Sequence, residues 1–590
     1  MTNIKIDYSR DALFDELGIK RLRESYMRDS EKSPQERYAF VADTFGSNPE
    51  HAQRLYDYAS QHWLSFSTPI LSYGKSPRGL PISCFLSYLA DSSEGLIDTL
   101  SEVNSLSMMG GGVGIGVGIR AADEKSTGVM PHLKIYDSSC LAYTQSGTRR
   151  GTYATYLDLD HPDILKYLDM RKPTGDYNIR CMNLHQGVNI PDSFMKLVDG
   201  AMKFKDFDDS WQLIDKASGK VRETVSAKWL WQKLLETRML TGEPYFLFID
   251  TANKALPDWL VKQALQIKQS NICSEVIIPT SEDRTAVCCL SSLNLKYYDK
   301  WCKNSQFIRD VAEMLDNALE LFINKAPNDR VKRAIYSASR GRDIGIGVLG
   351  FHTFLQEKGV AFDSVMAKSW NKRVFKHIRE EVDKANLELG AIRGEAPDCK
   401  GTGRRFSMTM AVAPTASTSL IMGNISPSVE PMRANAYRQD TMSGAYLNKN
   451  KVLDKIIKEY CEAQKRDYDE VWLSIISNEG SVQHLDWLDQ QTKDIFKTAV
   501  ELDQRWIIEL AADRQEYIDQ AQSINLFFRP NVSIPYLHHI HYLAWQKGLK
   551  TLYYCRSEKL AKADKVAKQI EREIIQEVAN DDGDCLACQA

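Results

Sequence analysis

Apolar residues recur along the chain with two different periods, and segments of the two kinds follow one another from end to end. Spacings of three or four residues indicate amphipathic helices, and short β-branched or aromatic runs bounded by Gly, Pro and Ser indicate strands. Ser226 and Gly242 are typical of the residues that begin and end a helix. The predicted helices span about 91–109, 226–240, 307–324, 365–390 and 560–578, and the predicted strands about 82–86, 133–136, 244–249, 285–290, 407–412 and 549–554.

This alternation predicts an α/β fold with little division into separate domains. Residues 1–65 carry helical spacing throughout and are expected to form an N-terminal helical region. Residues 66–556 contain no internal repeat and no Pro/Gly/Ser-rich linker, so we expect one large catalytic body. Residues 557–590 are expected to form a C-terminal helix followed by a polar tail.

The run from Gly110 to Gly118 places a glycine at almost every second position. A dinucleotide-binding fingerprint would need a strand before the glycines and a helix after them, and the pattern predicts neither. Close packing of another backbone, or of a flat ligand, is the better explanation.

An amide, a thiol and a carboxylate alternate with other residues between Gln269 and Pro279. In a strand, Asn271, Cys273 and Glu275 would all point to one face, and the β-branched residues after Glu275 favour an extended conformation. The alternative is a half-buried strand in which the cysteine is a small apolar residue. The rest of the chain must decide between these interpretations.

Three polar segments are further candidates for binding or redox chemistry. Residues 145–151 form a loop with two arginines, which suits either an anion or ordinary solvent exposure. Residues 414–419 combine a strand end, a hydroxyl-rich turn and a helix start; they fit either a phosphate site or a multiply capped helix. Cys585 and Cys588 lie in the polar tail, where disulfide exchange or metal capture are the sensible uses of two thiols.

Composition narrows the class of protein. The chain has 590 residues, 43% of them hydrophobic, and a formal net charge of -3. This charge provides no positive electrostatic potential that would attract a nucleic-acid polymer. No signal segment and no apolar run long enough to span a membrane is found, so a cytoplasmic enzyme is expected. The 12 cysteines show no zinc-ligand spacing and are expected to be mostly free thiols, with no metal bound.

Taken together, these motifs resemble the large (catalytic) subunit of class I ribonucleotide reductases, and the resemblance extends over nearly the whole chain. The resemblance implies a ten-stranded α/β barrel made of two parallel five-stranded halves, with a central finger loop that carries a radical cysteine. The motifs are, in chain order, Ser83-Cys84, Asn271-x-Cys273-x-Glu275, Ala286-Val287-Cys288, Pro414-Thr415-Ala416-Ser417-Thr418, Tyr553-Tyr554, and the pair Cys585 and Cys588.

The resemblance also implies a reaction, the reduction of ribonucleoside diphosphates to 2′-deoxyribonucleoside diphosphates. Cys273 is similar to the cysteine that becomes a thiyl radical and removes the 3′ hydrogen. Glu275 would take the 3′-hydroxyl proton, and Asn271 would hold the same part of the sugar. Cys84 and Cys288 resemble the reducing pair that ends as a disulfide; Cys289, next in sequence, would face the other side of its strand.

Partners and further roles follow from the same resemblance. A separate small subunit with a metallocofactor would supply the radical through Tyr554 and then Tyr553; this chain would bind no cofactor of its own. Cys585 and Cys588 would reduce the active-site disulfide and be reduced by a thioredoxin or glutaredoxin. The expected substrate-binding residues are Thr68, Ser83, Thr415, Ala416, Ser417 and Thr418.

The resemblance implies regulation at a homodimer interface by a deoxynucleoside or nucleoside triphosphate effector. The chain begins almost at the catalytic body, so we expect a compact form that lacks the N-terminal ATP-cone domain of many relatives. The segment 120–131 is shorter than the effector-binding loop of the family, so this regulation is the least defined part of the prediction. The expected effector residues are Asp91, Ser92, Arg120, Gln145, Arg149 and Arg150.

Two alternatives remain open at this point. A cobalamin-dependent class II reductase would share the thiols, but it needs no intersubunit relay such as Tyr553 and Tyr554. A non-enzymatic, redox-responsive nucleotide-binding protein would use Cys585 and Cys588 as a sensor, but it would leave the pattern around Cys273 without a purpose.

Overall fold

The computed structural model describes residues 4–143, 151–441 and 444–557. The predicted helix 560–578, the tail cysteines Cys585 and Cys588, and the predicted effector residues Gln145, Arg149 and Arg150 lie outside these ranges. Within the described residues, no helix combines the length and the apolar character that crossing a bilayer requires.

Helices cover the outside of the molecule and make up most of its N-terminal region. The predicted helices over 226–240, 307–324 and 365–390 are confirmed as α9, α13 and α16. The α-helices are α1 (Glu16–Ser25), α2 (Pro34–Phe45), α3 (Pro49–Ser60), α4 (Thr68–Leu71), α5 (Ser93–Met108), α6 (Val129–Ala142), α7 (Ile164–Leu168), α8 (Asp192–Lys203), α9 (Ala227–Thr241), α10 (Ile249–Lys254), α11 (Asp258–Val261), α12 (Tyr298–Trp301), α13 (Phe307–Lys325), α14 (Lys332–Gly341), α15 (Phe351–Glu357), α16 (Val365–Arg393), α17 (Ala416–Ile421), α18 (Lys451–Gln464), α19 (Tyr468–Ser477), α20 (Gln490–Ile495), α21 (Gln504–Gln515) and α22 (Ile534–Gln546).

The strands form one large curled sheet and three small two-stranded sheets. In the large sheet, β2, β3, β4, β5 and β8 run parallel to one another in that order. The strands are β1 (Leu64–Phe66), β2 (Cys84–Leu89), β3 (Gly112–Val117), β4 (Tyr153–Asp158), β5 (Leu184–Ile190), β6 (Ser210–Asp215), β7 (Lys220–Ser226), β8 (Tyr245–Phe248), β9 (Ala286–Asn294), β10 (Ile344–Leu349), β11 (Ala436–Thr441), β12 (Gly444–Lys449), β13 (Leu526–Phe528), β14 (Thr551–Leu552) and β15 (Cys555–Ser557).

A second parallel half completes the barrel. β9 pairs parallel with β10, and β10 donates backbone hydrogen bonds to the extended segment 408–412. That segment bridges to 522–528, which in turn pairs parallel with β15. The halves meet antiparallel at two seams, β2 with β9 and β8 with β14. The expected architecture of two parallel five-stranded halves is therefore confirmed.

Residues 266–280 cross the interior of this barrel as a finger loop, and glycines of β3 make room for it. A Cβ atom on Gly114 would lie 2.0 Å from the carbonyl oxygen of Ser270, and one on Gly116 would lie 2.5 Å from the Gln269 side chain. Such distances are far below van der Waals contact. The prediction that these glycines allow close packing of another backbone is confirmed.

Two local predictions are wrong. Residues 133–136 lie in helix α6, because the short apolar run is one turn of a helix that begins after Gly128. The expected strand through Asn271 and Glu275 is a tight turn at the finger tip.

Candidate active site

The three thiols expected from the sequence all lie in the barrel interior. Cys84 is the first residue of β2 and faces Cys288 of β9 as its register partner across the antiparallel seam. Both side chains are fully buried in the same apolar cluster as Cys273. Cys289 points to the other side of β9, where its sulfur lies 3.5 Å from the Pro81 carbonyl oxygen. Of the two adjacent cysteines, Cys288 is thus the one that faces Cys84.

The finger tip is a turn whose shape is fixed by hydrogen bonds. The Asn271 backbone N–H donates to the Val276 carbonyl at 3.2 Å, and Ser274 adopts a left-handed φ of 68°. The Tyr156 hydroxyl donates to the Asn271 carbonyl at 2.7 Å. The Ser523 hydroxyl lies 2.5 Å from the Cys273 carbonyl oxygen. Cys273 is therefore held at the tip by contacts from both halves of the barrel.

The amide and the carboxylate of the motif converge even though the backbone is not a strand. The Asn271 Nδ2 group donates to Cys84 Sγ at 3.2 Å. The Cys84 thiol lies 3.9 Å from Glu275 Oε1, and the Ser523 hydroxyl lies 3.0 Å from Glu275 Oε2. The tip thus brings an amide, a carboxylate and a thiol together in a region without solvent exposure.

Burial keeps the reducing thiol protonated. It raises the pKa of Cys288 well above that of an ordinary thiol, and the neighbouring Cys84 and Asp343 raise it further. The Gln520 side-chain amide lies 4.0 Å from Cys288 Sγ and acts in the opposite direction. A buried thiol of this kind is a proton or hydrogen-atom donor rather than a free nucleophile.

A cluster of tyrosines, which we call the tyrosine cluster (Tyr245, Tyr553 and Tyr554), leads away from the finger tip. The Tyr553 hydroxyl lies 3.5 Å from Cys273 Sγ. The rings of Tyr553 and Tyr554 are 4.3 Å apart, and Tyr245 lies 4.7 Å from the first and 5.1 Å from the second. Adjacent residues can stack here because they fall between the ends of β14 and β15. Tyr245 was not predicted from the sequence.

The predicted substrate residues are buried, except for Ala416, which is partly exposed. The Thr68 hydroxyl contacts the Tyr26 hydroxyl at 3.3 Å. Among the described residues, the buried Ser83 hydroxyl has no hydrogen-bond partner. Arg21 of α1, which the sequence did not indicate, donates to the Ser417 hydroxyl at 3.4 Å.

The turn at Thr415 does not behave as a multiply capped helix. Thr415 precedes α17 but its side chain makes no capping hydrogen bond; its hydroxyl instead accepts from the Ser428 backbone at 2.7 Å. The hydroxyls of Thr418 and Ser419 donate to carbonyls of the same turn. The Thr415 side chain therefore caps no N–H group of α17.

Two of the described residues that were expected at an effector site, Asp91 and Arg120, contact each other. The Arg120 guanidinium donates to the Asp91 carboxylate at 2.5 Å, and both residues line a cavity of about 860 Å³. The Ser92 hydroxyl is engaged in capping α5. Ile267 and Lys268 line the same cavity, so it borders the finger loop that carries Cys273.

Sequence reasoning missed Ser523, Gln520 and Tyr245, as well as Arg21. None of the four belongs to a local pattern, because each reaches the site from a distant segment of the chain. A tyrosine in a predicted strand, as at Tyr245, carries no signal that separates a core residue from a redox neighbour.

Comparison with known proteins assigns the family. The "Ribonucleotide reductase, barrel domain" family matches residues 82–402 and 396–555, and the "Ribonucleotide reductase, all-alpha domain" family matches residues 12–79. The chain is 52% identical to the ribonucleoside-diphosphate reductase large subunit of Invertebrate iridescent virus 3, over 95% of this chain and 97% of the relative. It is 37% identical to that of Invertebrate iridescent virus 6, over 96% of this chain and 94% of the relative.

A solved structure agrees with this result. The class Id ribonucleotide reductase alpha subunit of Actinobacillus ureae superposes with a TM-score of 0.82 and 34% identity, over 94% of this chain and 98% of that chain. These matches favour the class I interpretation over the cobalamin-dependent one. The chain belongs to the ribonucleotide reductase family, as a large subunit of the class I type.

Proposed function

We propose that the chain reduces ribonucleoside diphosphates to 2′-deoxyribonucleoside diphosphates through a thiyl radical on Cys273. The observation that carries this proposal is the finger tip, where Cys273 contacts Tyr553 at 3.5 Å and its neighbours Asn271 and Glu275 both contact Cys84. One radical source, one acid/base group and one reductant thus meet at the same point of a buried cavity.

The proposed steps balance as follows. The Cys273 thiyl radical takes the 3′ hydrogen atom, while Glu275 accepts the 3′-hydroxyl proton and Asn271 holds the sugar by hydrogen bonds. One thiol of the pair Cys84 and Cys288 protonates the leaving 2′-hydroxyl, which departs as water. The two thiols supply two electrons and two hydrogens and end as a disulfide; Cys273 returns a hydrogen atom to C3′. The buried interior supports this chemistry because it excludes water from the radical.

The radical is proposed to come from a separate small subunit that holds the metallocofactor. Tyr554, Tyr553 and Cys273 form a continuous series of contacts that suits such a path. The disulfide is proposed to be reduced by Cys585 and Cys588 of the tail, and these in turn by a thioredoxin or glutaredoxin.

The remaining residues are proposed to bind nucleotides. Thr68, Ser83 and residues 415–418 would hold the substrate, with its diphosphate on the uncapped first turn of α17. The unpartnered Ser83 hydroxyl supports this placement. Asp91, Ser92 and Arg120, together with Gln145, Arg149 and Arg150, would bind a nucleoside or deoxynucleoside triphosphate at a homodimer interface.

The decisive assay is CDP reduction by the purified chain with and without the metal-loaded small subunit, with a dithiol as reductant. We expect dCDP only when both subunits are present. Activity of this chain with adenosylcobalamin alone, or no dCDP in any combination while the nucleotide binds, would reject the proposal.

A further inference from the structure

Tyr554 meets a second set of polar groups on the side away from Cys273. Its hydroxyl lies 3.3 Å from Nδ1 of His185, which belongs to β5. The same Nδ1 atom lies 2.7 Å from Oε1 of Glu243, the residue that follows Gly242 after helix α9. The outer end of the tyrosine cluster therefore rests on a histidine–carboxylate pair from two other elements.

Glu243 is buried and fully engaged. Its Oε2 atom accepts a hydrogen bond from the Gln186 backbone N–H at 2.8 Å and lies 3.4 Å from the Arg171 guanidinium. The Tyr245 hydroxyl lies 3.5 Å from Oε1. Burial opposes ionisation, but Arg171, His185 and the backbone N–H outweigh it and hold the pKa of Glu243 below its ordinary value. Glu243 is thus an anion at neutral pH.

An ionised Glu243 determines which ring nitrogen of His185 carries the proton. At 2.7 Å from a carboxylate, Nδ1 is the protonated nitrogen and donates to Glu243. The Tyr554 hydroxyl oxygen then faces the same N–H group as a second, longer contact. His185 and the Glu243 carboxylate consequently fix the position of the Tyr554 oxygen, as hydrogen-bonded neighbours orient metal ligands in other proteins.

The other groups around Tyr554 set its electrostatics. The Arg556 guanidinium lies 4.5 Å from the ring centre, and the Tyr245 ring stands edge-on at 5.1 Å. Burial raises the pKa of Tyr554 well above its ordinary value, and the Glu243 charge raises it further, while Arg556 lowers it. The phenol therefore keeps its proton unless it is oxidised.

We propose that Glu243 and His185 are positioning residues for radical transfer, which hold the Tyr554 hydroxyl and ring in line with Tyr553 at the end of the path nearest the small subunit. This inference rests on the proposed function. Radical transfer between aromatic side chains depends on close, fixed geometry. Two anchored partners keep the Tyr554 side chain in that geometry. Neither residue touches the substrate or Cys273.

The substitution Glu243→Gln keeps the size of the side chain and removes its charge. Because a charge-assisted hydrogen bond is about twice as strong as a neutral one, we expect kcat for CDP reduction to fall about tenfold. The KM for CDP is expected to stay unchanged. His185→Asn, which keeps an N–H donor near the Nδ1 position, is expected to retain more activity than His185→Phe.

A spectroscopic probe distinguishes positioning from general stability. With 3-nitrotyrosine in place of Tyr554, Glu243→Gln removes a negative charge near the phenol, so its measured pKa is expected to fall by about one unit. Glu313→Gln is the matched control, because Glu313 is also buried and ion-paired with Arg309 and Arg393 but lies on α13. It is expected to leave the nitrotyrosine pKa and kcat unchanged.

Two results would overturn the inference. One is wild-type kcat in both Glu243→Gln and His185→Phe. The other is a fall in kcat that is accompanied by an equal loss of CDP binding or of thermal stability, with no change in the nitrotyrosine pKa. Tyr554→Phe separates this failure from failure of the proposed function, since full activity in that variant would reject the radical path itself.

Discussion

Ionisable groups are buried both in the barrel interior and on helix α13, but the two regions differ in whether the buried groups are charged. Asp316 of α13 is fully buried and accepts hydrogen bonds from Arg342, Arg393 and Arg405 at 2.7, 2.8 and 3.1 Å. These arginines outweigh burial and hold the pKa of Asp316 below its ordinary value. We call this set the α13 network.

In the barrel interior, the buried groups are instead thiols and phenols, which burial keeps neutral. Burial raises the pKa values of Cys288, Tyr245 and Tyr554 well above their ordinary values, so thiols and phenols keep their protons. Glu275 contacts a thiol and a hydroxyl at its two oxygens, Cys84 and Ser523. Opposite charges stabilise the fold in one region; in the other, protons and hydrogen atoms are kept available for transfer.

The largest expected effect tests the second region. Cys273→Ser should reduce CDP reduction below detection, because a hydroxyl does not form the radical that a thiol forms, while CDP binding stays intact. Cys302→Ser is the control, since Cys302 is partly exposed and lies in no contact with the site. Measurable turnover in the first variant would contradict the role assigned to the finger tip.

The next prediction separates adjacent cysteines on opposite faces of one strand. Cys288→Ser should lower multiple turnover by about 10³-fold or more, because the reducing pair loses one thiol. Cys289→Ser should remain within a few-fold of the wild type. Thiol labelling of the denatured protein after one turnover should show a Cys84–Cys288 disulfide in the wild type; a disulfide that includes Cys289 would reverse the assignment.

The α13 network should respond in stability rather than in chemistry. Asp316→Asn removes the one buried carboxylate that contacts all three guanidinium groups, so we expect a loss of about 3–5 kcal/mol in the free energy of unfolding. Asp299→Asn is the control: Asp299 is 62% exposed and pairs with Lys358, and such pairs contribute about 1 kcal/mol or less. Urea denaturation measures both, and equal losses would remove the distinction between the regions.

The pH dependence of the same variant has a definite sign. Because the folded-state pKa of Asp316 is lowered, its contribution is present above the unfolded pKa and is lost as pH falls through the folded pKa. The wild type should therefore lose stability in acid more steeply than Asp316→Asn. Parallel curves for the two proteins would contradict this assignment.

The smallest expected effect comes from a single hydroxyl of the reactive interior, whose removal deletes hydrogen bonds but no ionisable group. Ser523→Ala deletes the hydroxyl that lies 3.0 Å from Glu275 and 2.5 Å from the Cys273 carbonyl. A hydrogen bond to a charged group contributes about 1.5–3 kcal/mol, so kcat should fall about tenfold or somewhat more, with CDP affinity kept. An unchanged kcat would show that the finger tip is held without it.

The parts of the fold that the sequence could predict are those that depend on residues within a few positions of one another. Helix α9 begins after Ser226 and ends at Gly242 because capping residues act within a few positions of themselves. The run at 133–136 was misassigned because one apolar turn of a helix and a short strand look alike. The turn at Ser274 depends on contacts from Tyr156 and Ser523, which no local pattern contains.

The candidate site shows the same division. The alternation of Asn271, Cys273 and Glu275 suggested a shared face, and the resemblance implied their roles, yet the reason they converge is a turn with a left-handed residue rather than a strand. Resemblance to a family located Cys84 and Cys288 in one site, and the register of β2 with β9 gives the physical reason. The contact between Glu243 and His185 could be recognised only in the structure, because the two residues come from separate segments of the chain.

Gly114 has one more consequence. A methyl group there would lie 2.0 Å from the Ser270 carbonyl oxygen, so the finger loop and β3 are in direct backbone contact with no side chain between them at this position. A change as small as glycine to alanine would displace the loop that carries Cys273. This position of β3 therefore admits no larger side chain, because the backbone of the finger loop lies against it.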